Sequence, residues 1–289
     1  MNTHGILLAG GTGSRLYPIT SSVNKQLLPI YNKPMIFYSL SLIMLAGIRE
    51  VTIVCNPKDI ELYQQLLGRG ESLGMNISYT KQLVPNGIPS ALALTTDSVQ
   101  HKDILLVLGD NILVGNNLST LLKAPKPSHA KIFPYMVKNA NQFGVITFDD
   151  EGNPLKIEEK PYNIHRGYAI PGVYFLPNSA LKISKTLTSS DRGETEVSDL
   201  LNYYLAQKTL TTEVLGRGIA WMDTGTPDGL SAASQMVQTL ESRQNYQIGN
   251  IHEIAYKNQW ITRITLVKFA EQYSKSDYGK YLLEVTNDG

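Results

Sequence analysis

Through its first 110 residues the chain alternates short apolar segments with helix-length ones, and that alternation restricts it to an α/β fold with a parallel sheet and right-handed crossovers. His4 to Ala9 reads as a buried strand running into Gly10-Gly11, and Pro34 to Gly47, opened by proline and closed by glycine, reads as a helix. Val51 to Cys55 is a second strand, Asp59 to Leu67 a helix, Asn76 to Lys81 a strand and Pro89 to Ser98 a helix. Ile104 to Leu108 is a fully apolar strand ending in Gly109-Asp110-Asn111.

Beyond about residue 130 the pattern changes. Lys131 to Val137, Gly144 to Phe148 and Leu155 to Glu159 read as strands, the last two joined by the turn residues Asp149-Asp150-Glu151-Gly152-Asn153, which predicts antiparallel additions to the sheet. Tyr168 to Phe175 reads as a strand, Thr195 to Ala206 as a helix and Thr211 to Leu215 as a strand. Thr226 is placed to cap a helix that has Pro227 at its first position and Leu230, Ala233, Val237 and Leu240 along one face. The expected architecture is a Rossmann-like mixed, mainly parallel sheet flanked by helices, with antiparallel additions. The core spans 1–240, and a helical C-terminal annex 241–289.

Several functions are excluded by composition. With Lys+Arg at 26 and Asp+Glu at 25, the net charge of +1 supplies no bulk field for nucleic acid or an anionic membrane. The single cysteine, Cys55, allows neither a disulfide framework nor a thiolate metal site, and five scattered histidines form no zinc signature. The longest apolar stretch, Met35 to Ile48, is interrupted by Ser39 and Ser41 and falls short of the roughly 20 residues a membrane span needs. Met1-Asn2-Thr3-His4 carries no basic leader. A cytoplasmic, reducing location is expected.

The first strand enters Gly10-Gly11-Thr12-Gly13-Ser14-Arg15-Leu16, where close glycines expose backbone N–H groups to an anion and Arg15 adds a fork of donors. Leu16 occupies the third glycine position of a dinucleotide fingerprint, and the Walker Gly-Lys-Ser/Thr is absent. A tight turn without ligand is the alternative. Lys25, ahead of Gln26-Leu27-Leu28-Pro29, is close enough in sequence to join the loop, or is a solvated surface charge. Asp110, at the carboxyl end of a strand, suits a hard cation carrying phosphates, or an Asx-turn. Asp223 is a second carboxylate ligand or a capping group. In Glu158-Glu159-Lys160-Pro161, alternation sends Glu158 and Lys160 to one face and Glu159 to the other unless the proline bends the exit. Arg192-Gly193-Glu194 has a similarly open reading. Gly70-Glu71-Ser72-Leu73-Gly74 matches a nucleophile pattern but follows a helix instead of a strand, so an exposed turn is expected.

Taken in order, the glycine loop, Lys25-Gln26-Leu27-Leu28-Pro29, Leu108-Gly109-Asp110-Asn111, Glu158-Glu159-Lys160-Pro161 and Trp221-Met222-Asp223-Thr224-Gly225-Thr226 resemble the sugar-1-phosphate nucleotidyltransferases, most nearly their glucose-1-phosphate thymidylyltransferase group. The resemblance runs from about residue 4 to Tyr278-Gly279-Lys280-Tyr281-Leu282. It implies that a sugar 1-phosphate oxygen attacks the α-phosphorus of a nucleoside triphosphate and pyrophosphate leaves, with dTTP and glucose 1-phosphate giving dTDP-glucose. Another base or a modified hexose 1-phosphate would fit the same chemistry. A silent sugar-nucleotide sensor and an NAD-dependent oxidoreductase are the readings from other classes.

By that resemblance Arg15 and Lys25 would hold the triphosphate, Lys160 the sugar phosphate, and Asp110 with Asp223 a Mg²⁺ ion, the five forming the catalytic set. Leu8, Gly10, Gly11, Gly13, Gln26, Gln82, Pro85 and Gly87 would complete the nucleotide side. Asn111, Phe143, Gly144, Glu159, Gly172, Tyr174 and Arg192 would complete the sugar-phosphate side. A homotetramer is implied, with a regulatory site for a deoxysugar nucleotide at Arg217-Gly218 and Glu253-Ile254-Ala255. The chain departs from the common pattern at Gly87-Ile88-Pro89-Ser90-Ala91, where the family usually has Gly-Leu-Ala-Gln-Ala, at Leu113-Val114, at Pro171 and at Tyr256-Lys257-Asn258.

Overall fold

The computed structural model describes residues 2–99 and 101–287. Seven strands form the central sheet in the order Leu210–Thr212, Ala130–Ile132, Val173–Leu176, Asp103–Leu108, Thr3–Ala9, Glu50–Cys55, Asn76–Lys81. All neighbours are parallel except where Val173–Leu176 runs against both of its own. The central strands are mostly apolar because both of their faces are covered, and the buried His4 and Thr52 on them pair at 2.8 Å. Alternation sends Leu7, Ile53 and Val107 into one buried cluster and Ile6, Val54 and Leu106 into another. The expected mainly parallel α/β architecture is what the chain adopts. Strand order reverses at Thr3–Ala9, which pairs with Glu50–Cys55 on one side and Asp103–Leu108 on the other. A crevice opens beyond the carboxyl ends of strands at such a reversal.

Two segments read as single strands are each divided between two sheets. Ala130–Ile132 belongs to the central sheet and Tyr135–Val137 to a separate four-stranded antiparallel sheet, and Pro134 lies at the break. Gly167–Ala169 and Val173–Leu176 divide in the same way around Pro171-Gly172. Proline offers no N–H to a ladder, so each supplies a point where the chain can change sheets. The helix expected over Pro89 to Ser98 is likewise two, Ile88–Ala93 and Thr96–Val99. The hairpin at 149–153 forms as expected, with Asp149 Oδ1 accepting from Glu151 N at 3.0 Å and Asn153 N at 2.8 Å. The segment Gly70 to Gly74 is a turn with a 3₁₀ helix at Glu71–Leu73 and an exposed Ser72.

A two-stranded ribbon pairs Asn111–Gly115 with Ile219–Asp223 in antiparallel register, Asp223 opposite Asn111. Thr226 caps the helix Pro227–Gln244, its Oγ1 accepting from Gly229 N at 3.1 Å. That helix runs on past residue 240, and Ile251–Lys257, Arg263–Gln272 and Asp277–Asn287 follow it. A buried ion pair ties the long helix to the start of the chain. Lys33 Nζ donates to Glu241 Oε1 at 2.7 Å and to Asn32 Oδ1 at 2.6 Å. No described helix is long and apolar enough to cross a membrane.

Among the C-terminal helices His252 is buried against Phe37, Phe269, Tyr273 and Tyr278, with Nδ1 2.7 Å from the Tyr278 hydroxyl. Burial pushes its imidazole down to about 4 from the ordinary 6.5. Below pH 6.5 the unfolded chain therefore takes up a proton that the native one refuses, and stability falls as pH drops from 6.5 toward 4. The full loss is about 3 kcal/mol. Urea midpoints at pH 7.5 and 5 should show this slope in the native sequence and a flatter one in His252→Gln; equal slopes would contradict it.

Candidate active site

The first strand delivers Gly10 and Gly11 to the crevice, and Gly13 then adopts φ 66°, ψ 23°, a left-handed conformation that favours glycine. Thr20 fixes this turn by donating from Oγ1 to the Gly13 carbonyl at 2.7 Å. The loop enters a 3₁₀ turn, Ser14–Leu16, and not the α-helix that a dinucleotide fingerprint requires. Leu16 is fully buried beside Leu28, Met35, Tyr38 and Ile112, so it anchors the loop where a third glycine could not. Arg15 is left exposed, facing the cleft.

Lys25 and Gln26 begin another 3₁₀ turn, whose cap Asn24 accepts Gln26 N at 2.9 Å and the Tyr63 hydroxyl at 2.6 Å. Lys25 is buried, and its Nζ donates to Asp110 Oδ2 at 2.5 Å. It supports the site from beneath. Neither Lys25 nor Gly13 contributes to the lining of the cleft. Gln26 does, and its buried carboxamide oxygen has no partner among the described residues.

Asp110 and Asp223 come together through the ribbon, although 113 positions separate them in sequence. Thr224 clamps the join, donating from N at 3.2 Å and from Oγ1 at 2.8 Å to the Asp110 carbonyl. Burial raises Asp110's proton affinity, but the Lys25 ammonium, with hydrogen bonds from Lys25 and Asn111, outweighs it and holds the carboxyl below the usual range. Asp223 shifts the other way, pushed up by burial and then by the charge of Asp110, against the pull of Lys25 and Arg15. Two oxygen-donor carboxylates on one wall suit a hard divalent cation whose other ligands are phosphate oxygens and water. No group of three or more metal-ligating side chains occurs among the described residues, so the protein itself offers such an ion no complete cage.

The expected alternation at Glu158-Glu159-Lys160 is corrected by the structure. Lys160 has φ 46°, held by its N–H donating to the Phe143 carbonyl at 3.0 Å, and this reversal at the strand end brings Lys160 and Glu159 to the same cleft. Glu158 instead pairs with Lys156 at 2.9 Å. A lysine in left-handed backbone is strained, of order 1–3 kcal/mol, as residues at functional sites often are. Burial and then Glu196 push the Glu159 carboxyl up, opposed by Lys160 and Arg192. Arg192 lies among three carboxylates, 3.6 Å from Glu159, 3.7 Å from Glu194 and 3.4 Å from Glu196.

Two adjoining hollows result. One, of about 310 Å³, is lined by Leu8, Gly10, Gly11, Gln26, Gln82, Pro85, Gly87 and Arg192. The other, of about 160 Å³, is lined by Arg15, Asn111, Phe143, Gly144, Gly172, Tyr174 and Asp223. They share Asp110, Glu159 and Lys160. Sequence reasoning missed Ile88, Glu196, Val197 and Trp221, which also line the cleft. Trp221 donates from Nε1 to Asn111 Oδ1 at 2.6 Å and meets Phe143 edge-on at 4.9 Å. Its place beside Asp223 was the available signal. Of the expected regulatory segments, Glu253 is buried and already engaged, by Lys257 at 2.5 Å and the Tyr281 hydroxyl at 2.8 Å.

A cleft at a sheet's switch point, with glycine backbone on one wall and with two carboxylates and three cations around it, defines an α/β protein with a site suited to anionic ligands. A nucleotidyl transferase family model matches residues 4–239. The chain is 44% identical to a glucose-1-phosphate thymidylyltransferase of Neisseria gonorrhoeae over 97% of its own length and 98% of the relative's. It is 45% identical to the Mycobacterium tuberculosis (strain CDC 1551 / Oshkosh) enzyme of that name, over 97% and 98%. Among solved structures, a Bacillus anthracis protein provisionally designated a glucose-1-phosphate thymidylyltransferase, in complex with sucrose, superposes with a TM-score of 0.73 at 33% identity, covering 81% of this chain and 94% of that one. A UDP-glucose pyrophosphorylase complexed with UDP-glucose shares the fold, at TM-score 0.71 and 20% identity over 83% and 99% of the two chains. This chain belongs to the nucleotidyl transferase family and is a nucleotidyltransferase.

Proposed function

We propose that the protein joins dTTP to glucose 1-phosphate, forming dTDP-glucose and pyrophosphate. The observation that carries this reading is the bipartite cleft: two hollows meeting at Asp110, Glu159 and Lys160, one walled by the glycine loop and the other by Gly144, Gly172 and Tyr174. The near full-length identity to thymidylyltransferases supports the choice of substrates.

The nucleotide would occupy the hollow with Gly10, Gly11, Gln26 and Gln82, where the open carboxamide of Gln26 can meet the hydrogen-bonding edge of a base. Glucose 1-phosphate would occupy the other, with Glu159 accepting sugar hydroxyls and Lys160 gripping the phosphate. A phosphate oxygen of the sugar attacks the α-phosphorus, a new P–O bond forms, and the bond to the β-phosphate breaks as pyrophosphate leaves. The nucleophile is already an anion, so the protein need supply no general base. Its work is alignment and neutralisation by Arg15, Lys160 and Arg192. Asp110 and Asp223 would hold a divalent cation, Mg²⁺ by preference, which when bound neutralises charge developing on the phosphates. The resemblance implies a homotetramer and the single cysteine a reducing, cytoplasmic location; light scattering would count the copies.

Pyrophosphate release measured over a grid of dTTP, UTP, CTP, ATP and GTP against several sugar 1-phosphates with Mg²⁺ tests this directly. The largest kcat/KM is expected for dTTP with glucose 1-phosphate. A larger value for another pair would reassign the substrates, and no release with any pair would overturn the reading. The same grid run with dTDP-rhamnose added tests feedback, flat rates counting against a regulatory site.

A further inference from the structure

The nucleotide hollow is walled by two loops far apart in sequence, around Gly87 and around Arg192, and one buried hydroxyl fastens them together. Thr195 donates from its backbone N–H to the Asn86 carbonyl at 2.9 Å and forms a parallel bridge with Gly87. The contact is so close that a Cβ at Gly87, whose φ is 105°, would collide with the Thr195 carbonyl. The side chain adds more. Its Oγ1 accepts from Ser90 N at 3.1 Å, donates to the Asn86 carbonyl at 3.0 Å and stands 3.2 Å from the Ser90 hydroxyl.

Ser90 lies in the first turn of the helix Ile88–Ala93, whose own cap, Gly87, has no side chain to satisfy a free N–H. Thr195 therefore performs the capping from 105 residues away. That helix presents Ile88 and Ala91 to the nucleotide hollow. On the other side of Thr195, the segment 190–196 is closed on itself. Ser190 N donates to the Glu194 carbonyl at 2.8 Å, and its Oγ donates to Glu196 Oε1 at 2.8 Å. Arg192 sits inside that closed segment, so a displacement of Thr195 carries Arg192 with it.

We propose that Thr195 is a positioning residue that couples the helix wall of the nucleotide hollow to the Arg192 segment, so that seating of the nucleotide sets Arg192, 3.6 Å from the Glu159 that both hollows share, for the second substrate. This rests on the substrate reading above. Its mechanical part, the fastening of two loops through one hydroxyl, can be read without turnover.

The test compares Thr195→Val, which keeps the shape and removes the hydroxyl, with Thr195→Ser, which restores it. Loss of a capping hydroxyl changes an equilibrium by about three- to thirty-fold, so Thr195→Val should raise KM for glucose 1-phosphate about tenfold. KM for dTTP should rise less, by about threefold, and kcat should fall by less than that. Thr195→Ser should lie within about twofold of the native enzyme. Unchanged KM values in the valine variant, or a serine variant as impaired as valine, would overturn the proposal. Hydrogen exchange gives the second readout. In Thr195→Val without nucleotide the amides at 88–91 should exchange faster, and added dTTP should protect 190–196 in the native protein but not in the variant. Equal protection in both would overturn the coupling. If no nucleotide and sugar pair is turned over by the native protein, the substrate reading fails, while exchange at 88–91 still decides the fastening.

Discussion

Asp110→Asn should lower kcat by about 10³-fold or more, because the substitution keeps the shape but removes a carboxylate proposed to hold the divalent cation that would neutralise the reacting phosphates. The expected loss is large for a second reason. Lys25 is buried with its ammonium on Asp110, so the variant leaves a cation in the interior without its counter-charge. Circular dichroism at the assay temperature separates the two effects, and a Mg²⁺ titration should show that excess metal fails to restore the rate. A variant turning over within fivefold of the native enzyme would remove Asp110 from the reacting centre. Lys160→Ala should behave differently, mainly raising KM for the sugar 1-phosphate with a smaller fall in kcat, since the lysine reaches the shared part of the cleft from its rim. Steady-state constants for both variants check the distinction.

Lys33→Met should destabilise the fold by about 3–5 kcal/mol, the usual cost of removing one partner from a buried ion pair. The Glu241 side chain is almost fully buried and receives three hydrogen bonds, that of the pair included: Lys33 Nζ and Ile248 N, at 2.7 and 2.8 Å, meet Oε1, and Asn32 Nδ2 meets Oε2 at 2.9 Å. Without Lys33 its charge lies uncompensated beside Tyr38, and the clamp between the long helix and the segment before the first helix is lost. Thermal unfolding should move down by roughly 10 °C. The double variant Lys33→Met with Glu241→Leu should recover much of this, because it removes both charges and leaves apolar groups. A single variant melting within 2 °C of the native protein would show the pair to be dispensable.

The alternation of apolar and helical segments made the mainly parallel sheet legible, because strands covered on both faces are near-continuous apolar runs, as Ile6 and Leu7 show by lying in opposite clusters. The glycine loop was equally plain. Less legible were the points where the chain changes sheets. Nothing local in Lys131 to Val137 distinguishes a bent strand from a straight one except Pro134, and proline is also tolerated at an edge. Lys160 illustrates the same limit at the site. Alternation placed it opposite Glu159, and a left-handed turn, which no side-chain preference announces for lysine, brought the two together.

The sequence by itself determined which groups were available: a glycine-rich turn after a buried strand, cations at Arg15, Lys25, Lys160 and Arg192, and carboxylates at Asp110, Glu159 and Asp223. Only the tertiary structure decided their grouping. The ribbon that sets Asp223 opposite Asn111, the burial of Lys25 beneath Asp110 and the reach of Thr195 to Ser90 all join residues between 85 and 112 positions apart. Periodicity and turn chemistry act over a few residues, whereas such pairings are selected by the packing of whole elements, where burying one polar group requires a partner from elsewhere in the chain.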